Sequence, residues 1–292
     1  MKKITFRMTA DRTGLACAIL LVFAVAAPLV LAEEVTKSFA VSGRGAVRVE
    51  TNDGSVHVTT SDSPQVEFRV EYKGYILDKD LRVDFRQDGD KVEVTARASN
   101  HWGFSWLFQS RTVHIEVRMP RQADHQVETG DGSVGADYQN GTVDIHTRDG
   151  SISVDGLKGN IRLRTGDGSI EARGLDGKVE ADSGDGHIRL AGRFDALDVK
   201  TGDGGIDARV QSGSKMDSRW TVRSGDGGID LYLPADFQAD IDASTGDGRV
   251  SLEIPVTVEG KFRKSEVRGR MNGGGQPLII HTNDGSIRLD RN

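Results

Sequence analysis

Between Glu128 and Leu252 apolar and polar residues alternate in short runs, and the runs are punctuated at a regular interval. One unit reads Ile161-Arg-Leu-Arg-Thr165, then Gly166-Asp-Gly168, then Ser169-Ile-Glu-Ala-Arg173, then Gly174-Leu-Asp-Gly177. Alternation of period two, broken by Asp-Gly and Gly-rich segments, predicts strand, turn, strand, turn. The punctuation recurs as Thr/Ser-Gly-Asp-Gly, with Arg148 replacing the first glycine once. Its aspartates are Asp131, Asp149, Asp167, Asp185, Asp203, Asp226 and Asp247; the first five are 18 residues apart and the last two gaps are 23 and 21. Two further copies, Thr51-Asn-Asp-Gly54 and Thr282-Asn-Asp-Gly285, lie outside this run.

Aligning the units on the aspartate separates hairpins from a solenoid. Three residues after it stand Val134, Ile152, Ile170, Ile188, Ile206, Ile229 and Val250. Five after stand Ala136, Val154, Ala172, Leu190, Ala208, Leu231 and Leu252, and four before stand Val127, Ile145, Leu163, Ala181, Val199, Val222 and Ala243. Columns of one chemical type are what stacked, equivalent coils require. The fold expected is therefore all-β: a parallel β-solenoid, a two-sheet β-roll-like stack of eight or nine coils, each 18 residues long where regular. The outward columns alternate in charge, as in Asp144, Arg162, Glu180 or Glu171, Arg189, Asp207, and predict solvated walls whose ion pairs favour one register. The Thr/Ser column is expected to form a hydroxyl ladder, and the motif glycines to take positive φ in an Asp-Gly turn.

Outside the regular repeat the period changes. Residues 33–60 are expected to enter the solenoid, with Val47, Val49, Val56 and Val58 at the inward offsets. Residues 64–120 carry longer alternating strands and predict a wider antiparallel or irregular N-terminal β part that caps the stack. Residues 253–292 contain an insertion with Lys261, Arg263, Lys264, Arg268 and Arg270, then a coil expected to close the C-terminal end. One domain, 33–292, accounts for all of it.

Residues 1–32 read differently. Lys2, Lys3, Arg7 and Arg12 precede an apolar run from Leu15 to Leu31, with small residues before Glu33, the pattern of a cleaved secretory signal peptide, with an uncleaved N-terminal anchor as the rival reading. Cys17, the sole cysteine, lies within it, which leaves no thiol or disulfide in the remainder. Cleavage after Ala32 leaves 34 basic and 43 acidic residues, a formal charge of −9. Such a balance suits an exported chain and excludes the basic stripe that nucleic acid would want. The location expected is periplasm, outer surface or extracellular space, with no membrane span after cleavage.

The Thr-Gly-Asp-Gly-Ser-Ile units, the Arg-Met-Pro and Tyr-Leu-Pro strand ends at 118–120 and 232–234, and Gly273-Gly-Gly-Gln-Pro-Leu-Ile-Ile-His-Thr-Asn-Asp-Gly-Ser-Ile287 together resemble the bacterial putative-adhesin family. The likeness spans about residues 40–290. The resemblance implies an exported β-solenoid of unknown function and brings no catalytic residues.

Three features invite a chemical reading. The column Asp131, Asp149, Asp167, Asp185, Asp203 could bind Ca²⁺ at coil spacing, but the second half-coil lacks the glycine–aspartate pattern of Ca²⁺-binding β-rolls, so the expectation is turn residues and no metal or cofactor. Parallel β-helices include polysaccharide-cleaving enzymes, yet no coil departs from the pattern to assemble a pocket, and catalytic residues are not expected. The stretch 100–108 concentrates Trp102, Phe104 and Trp106 in an aromatic-poor chain; it reads first as core for the N-terminal cap and, as the sharper alternative, as a contact for a partner, an envelope protein or glycan. The function expected is a non-catalytic envelope or surface binding module, with a carbohydrate-active enzyme as the alternative.

Overall fold

The computed structural model describes residues 32–99, 111–258 and 263–292, which belong to one compact all-β unit. The alternation becomes strand wherever it occurs, and coils stack in parallel with a register offset of 18. Thus Ile145 pairs beside Leu163, Leu163 beside Ala181 and Ala181 beside Val199 on the face before the motif. On the face after it, Ile152, Ile170, Ile188 and Ile206 follow one another. The columns predicted to point inward are buried along the stack, Leu252 alone being partly so. Ile170–Ser183 and Ile188–Thr201 run without interruption from one face to the other, so the two faces form one sheet wrapped round a corner.

At the opposite corner the motif turns, and its residues act differently from expectation. The hydroxyl column is buried, but the hydroxyls do not bond to one another. Thr165 Oγ1 accepts from Gly168 N in its own coil (3.1 Å) and donates to Gly150 O in the preceding coil (2.8 Å). Ser183 repeats this with Gly186 and Gly168, and Thr282 with Gly285 and Gly227. Each of these three hydroxyls therefore closes its own turn and ties it to a neighbouring one, satisfying backbone groups that burial would leave costly. The glycine after the aspartate is not in the left-handed region. A Cβ on Gly168 would lie 2.0 Å from Gly150 O, and one on Gly186 1.9 Å from Gly168 O. Glycine is required because neighbouring turns approach through their backbones, not because of φ.

The coil order departs from chain order at both ends. Gly45–Thr51 sits between Ala123–Thr129 and Lys91–Ala98, so a later segment lies outside the first motif coil. At the far end Pro277–Thr282 lies between Trp220–Ser224 and Ala239–Thr245, and Ile287–Arg291 between Ile229–Leu233 and Val250–Leu252. The Asp284 coil thus does not close the stack, as its sequence position suggests; it is inserted one coil inward. Both coils carry asparagine where the motif has glycine. Asn52 uses it to bond Ala98 through both amide atoms, at 2.7 and 2.8 Å, where the outer coil has no motif turn of its own.

Antiparallel strands cover each end. Glu33–Ala40 does not enter the solenoid but pairs antiparallel with Gln65–Lys73, which pairs antiparallel with Thr112–Pro120. Leu81–Asp88 covers Lys91–Ala98, with Phe39, Phe68 and Phe85 packed together beneath. At the other end Glu266–Met271 covers Ala239–Thr245, and Lys264 O accepts from Val250 N. These strands occupy the edges that would otherwise template pairing with another chain.

Candidate functional site

Outward side chains stand in ladders because each coil places equivalent residues side by side. On the face before the motif, Arg162 Nε donates to Glu180 (2.9 Å) and Arg164 to Asp144 (3.1 Å). The neighbouring carboxylates hold the Arg162 guanidinium above its ordinary pKa. This face is hollowed into an open groove of about 500 Å³, whose lining includes Asp144, Asn160, Arg162, Glu180 and Arg219.

The face after the motif breaks pattern. Two residues after the aspartate, Ser133, Ser151 and Ser169 give way to His187, Gly205 and Gly228. The His187 ring lies over Gly205, where an added Cβ would stand 3.0 Å from it, and Nε2 reaches Asp207 at 2.8 Å. Asp207 and Asp230 are register neighbours, with Arg189 beyond one and Arg288 beyond the other. Burial first, then the Asp207 charge, raises the Asp230 carboxyl above its ordinary range. Two carboxylates in register favour holding a proton between them. Next to them the Arg209 guanidinium stacks on Tyr232, 4.3 Å from the ring centre. The coils therefore do depart from the repeat here, contrary to the expectation from sequence. The signal was present in the change from serine to histidine and glycine, but only the register brings Asp207 and Asp230 together.

His57 repeats the device at the N-terminal end, lying over Gly135 with Nε2 3.3 Å from Asp137. His125 is the opposite case. It occupies an inward column between Val47 and Val143, fully buried, with the Gln139 amide as its near polar neighbour but no well-formed hydrogen bond to either ring nitrogen. Burial lowers its pKa to about 4. Gln139, buried at a corner where the following coils place Leu157 and Leu175, likewise leaves its amide unpartnered.

The predicted positions fare unequally. Asp131, Asp149, Asp167, Asp185 and Asp203 form an exposed row along the turn edge, one per coil. Among the described residues no three His, Cys, Asp or Glu side chains are grouped to hold a metal ion. Trp102, Phe104 and Trp106 lie outside the described residues, as does the segment read as a signal peptide apart from Ala32. Of the basic cluster, Arg263 and Arg268 are ion-paired with Glu266, and Arg268 also with Asp242. No helix among the described residues is long and apolar enough to cross a membrane.

Comparison with known proteins gives a family and several distant folds. The family model described as Toastrack DUF4097 matches residues 44–290. A putative lipid binding protein from Parabacteroides distasonis is 14% identical, covering 88% of this chain and 96% of its own, with a TM-score of 0.46. A putative adhesin from Bacteroides fragilis is 10% identical, covering 89% and 97%, with a TM-score of 0.43. A putative cell adhesion protein from Clostridium sporogenes is 13% identical, covering 90% and 100%, with a TM-score of 0.29. No function is carried over from likenesses at this level. No curated protein matches the sequence.

Proposed function

We propose, from the premise that the chain belongs to the Toastrack DUF4097 family, that it is a non-catalytic binding module exported to the cell envelope or surface. The observation that carries this reading is the wall construction: polar side chains repeated at coil spacing on a stack whose turns are joined backbone to backbone. A rigid array of that kind presents many equivalent hydrogen-bonding positions to an extended partner. The groove over Asp144, Arg162 and Glu180 is open along the stack, and its charges already pair with one another. Export is supported by the basic and apolar segment in residues 1–32.

One arrangement favours the alternative, a carbohydrate-active enzyme: the Asp207–Asp230 pair, in which the raised Asp230 would supply an acid and Asp207 a base. Incubating the purified protein with bacterial envelope polysaccharide separates the readings. Retention on the polysaccharide with no release of reducing ends is the expected result. Release that disappears in Asp230→Asn would replace the binding module with an enzyme.

A further inference from the structure

Tyr138 is out of place in the repeat. Eleven residues before the motif aspartate the following coils carry Gly156, Gly174 and Gly192, and Tyr138 holds that column with φ of 54°. Gly156 and Gly174 take φ of 68° and 62°, a conformation that glycine adopts without cost and tyrosine does not. The ring gains little burial in return. It is 57% exposed, one of two large hydrophobic side chains so exposed among the described residues. It lies along the corner over Gly156, where an added Cβ would be 2.6 Å from Cδ1. A strained backbone position whose side chain stays mostly exposed points to a use for that side chain.

The surroundings state the use. Beyond the ring the corner continues as bare backbone at Gly174. On one side run Asp137, Asp155 and Arg173, paired in register. On the other run Asn140, Lys158 and Asp176. Asp155 spans the strip: Oδ2 accepts from the Tyr138 hydroxyl at 3.4 Å, and Oδ1 stands 3.0 Å from where a Gly174 Cβ would be. An exposed aromatic face, a glycine floor and two flanking rows of hydrogen-bonding side chains match one chemistry, a sugar chain. Its C–H faces stack on an aromatic ring and its hydroxyls bond to the rim. Successive coils repeat the rim at roughly 4.8 Å, about the advance of one pyranose residue. Asp137 and Asp155 stand nearest the ring and oppose an acidic sugar there, while Lys158 and Arg173 are paired with Asp176 and Glu171.

We propose that the corner from Tyr138 to Gly174 is a binding site for a neutral or N-acetylated oligosaccharide, with Tyr138 as the stacking platform and Asp155 and Asn140 as hydrogen-bonding partners. The proposal rests on the binding-module reading and names its ligand class. Calorimetric titration with chitotetraose and cellotetraose, with a tetragalacturonate as the acidic contrast, tests it alongside thermal unfolding. Wild type binds a neutral tetrasaccharide in preference to the uronate. Tyr138→Gly weakens that binding by at least about tenfold, as loss of an aromatic anchor does, and raises Tm because the strain is gone. Tyr138→Trp retains binding.

Other outcomes overturn it. If Tyr138→Gly lowers Tm, the ring is a structural plug. If wild type binds a neutral tetrasaccharide and Tyr138→Gly binds it equally, the site lies elsewhere on a protein that still binds glycan. If wild type binds none of the three but is retained on whole envelope material, the ligand class is wrong while the binding module stands. Retention on neither removes both.

Discussion

Single residues in this fold are constrained by the coil next door more than by their own segment. Gly168 and Asp167 are adjacent, yet the first meets the Gly150 carbonyl and the second meets solvent. Gly168→Ala must push two backbones apart and is expected to cost about 1–3 kcal/mol, whereas Asp167→Ala should stay within about 0.5 kcal/mol; urea denaturation of both variants checks the contrast. The glycine's place was legible in the sequence. Its reason was not, because the clashing oxygen belongs to a residue 18 positions earlier. His125 was illegible for a related reason: alternation predicts that its column faces inward, but a histidine there looks like any other polar residue. Its pKa is lower folded than unfolded, so between about 6.5 and about 4 the unfolded chain binds the extra proton. Stability should therefore fall as pH drops through that window, by up to about 1.4 kcal/mol per unit. The depressed carboxylates Asp124 and Asp195 lose their contribution only at lower pH. His125→Leu should remove the slope between pH 6.5 and 4 and raise stability at pH 7, both readable from denaturation curves across pH.

At the scale of the coil, stability is shared. A buried isoleucine contributes roughly 1.5–3 kcal/mol, and exposed ladders such as Glu171, Arg189 and Asp207 add little but fix register. The inward columns were readable because burial imposes the same demand on every coil. Neighbour identity was not, since that uniformity lets any coil edge fit any other. Only Asn52 and Asn283, in place of glycine, distinguish the two coils that stack out of order. The position of the Asp284 coil has a measurable effect. Ile280 is fully buried between Val222 and Ala243, so Ile280→Ala should cost about 2–5 kcal/mol, the same range as Leu163→Ala in mid-stack. A fraying terminal coil would show a much smaller loss, and comparison of the two variants by urea denaturation decides.

At the scale of the molecule, the described residues form one stack with strands covering both edges. Its architecture could be read from the repeat; its candidate sites could not, because each arises where a column changes type and the register gathers the exceptions. The inserted coil also sets the stack against the direction in which the chain is made. During folding the Asp226 coil offers residues 239–252 an edge chemically equivalent to the one they finally occupy. Until the last strands dock, the uniform inward columns let the two zip together. The last strands then arrive to find their slot closed. Completion requires that provisional pairing to open, so the slowest step in maturation should belong to the final forty residues or so, however quickly the regular repeats assemble.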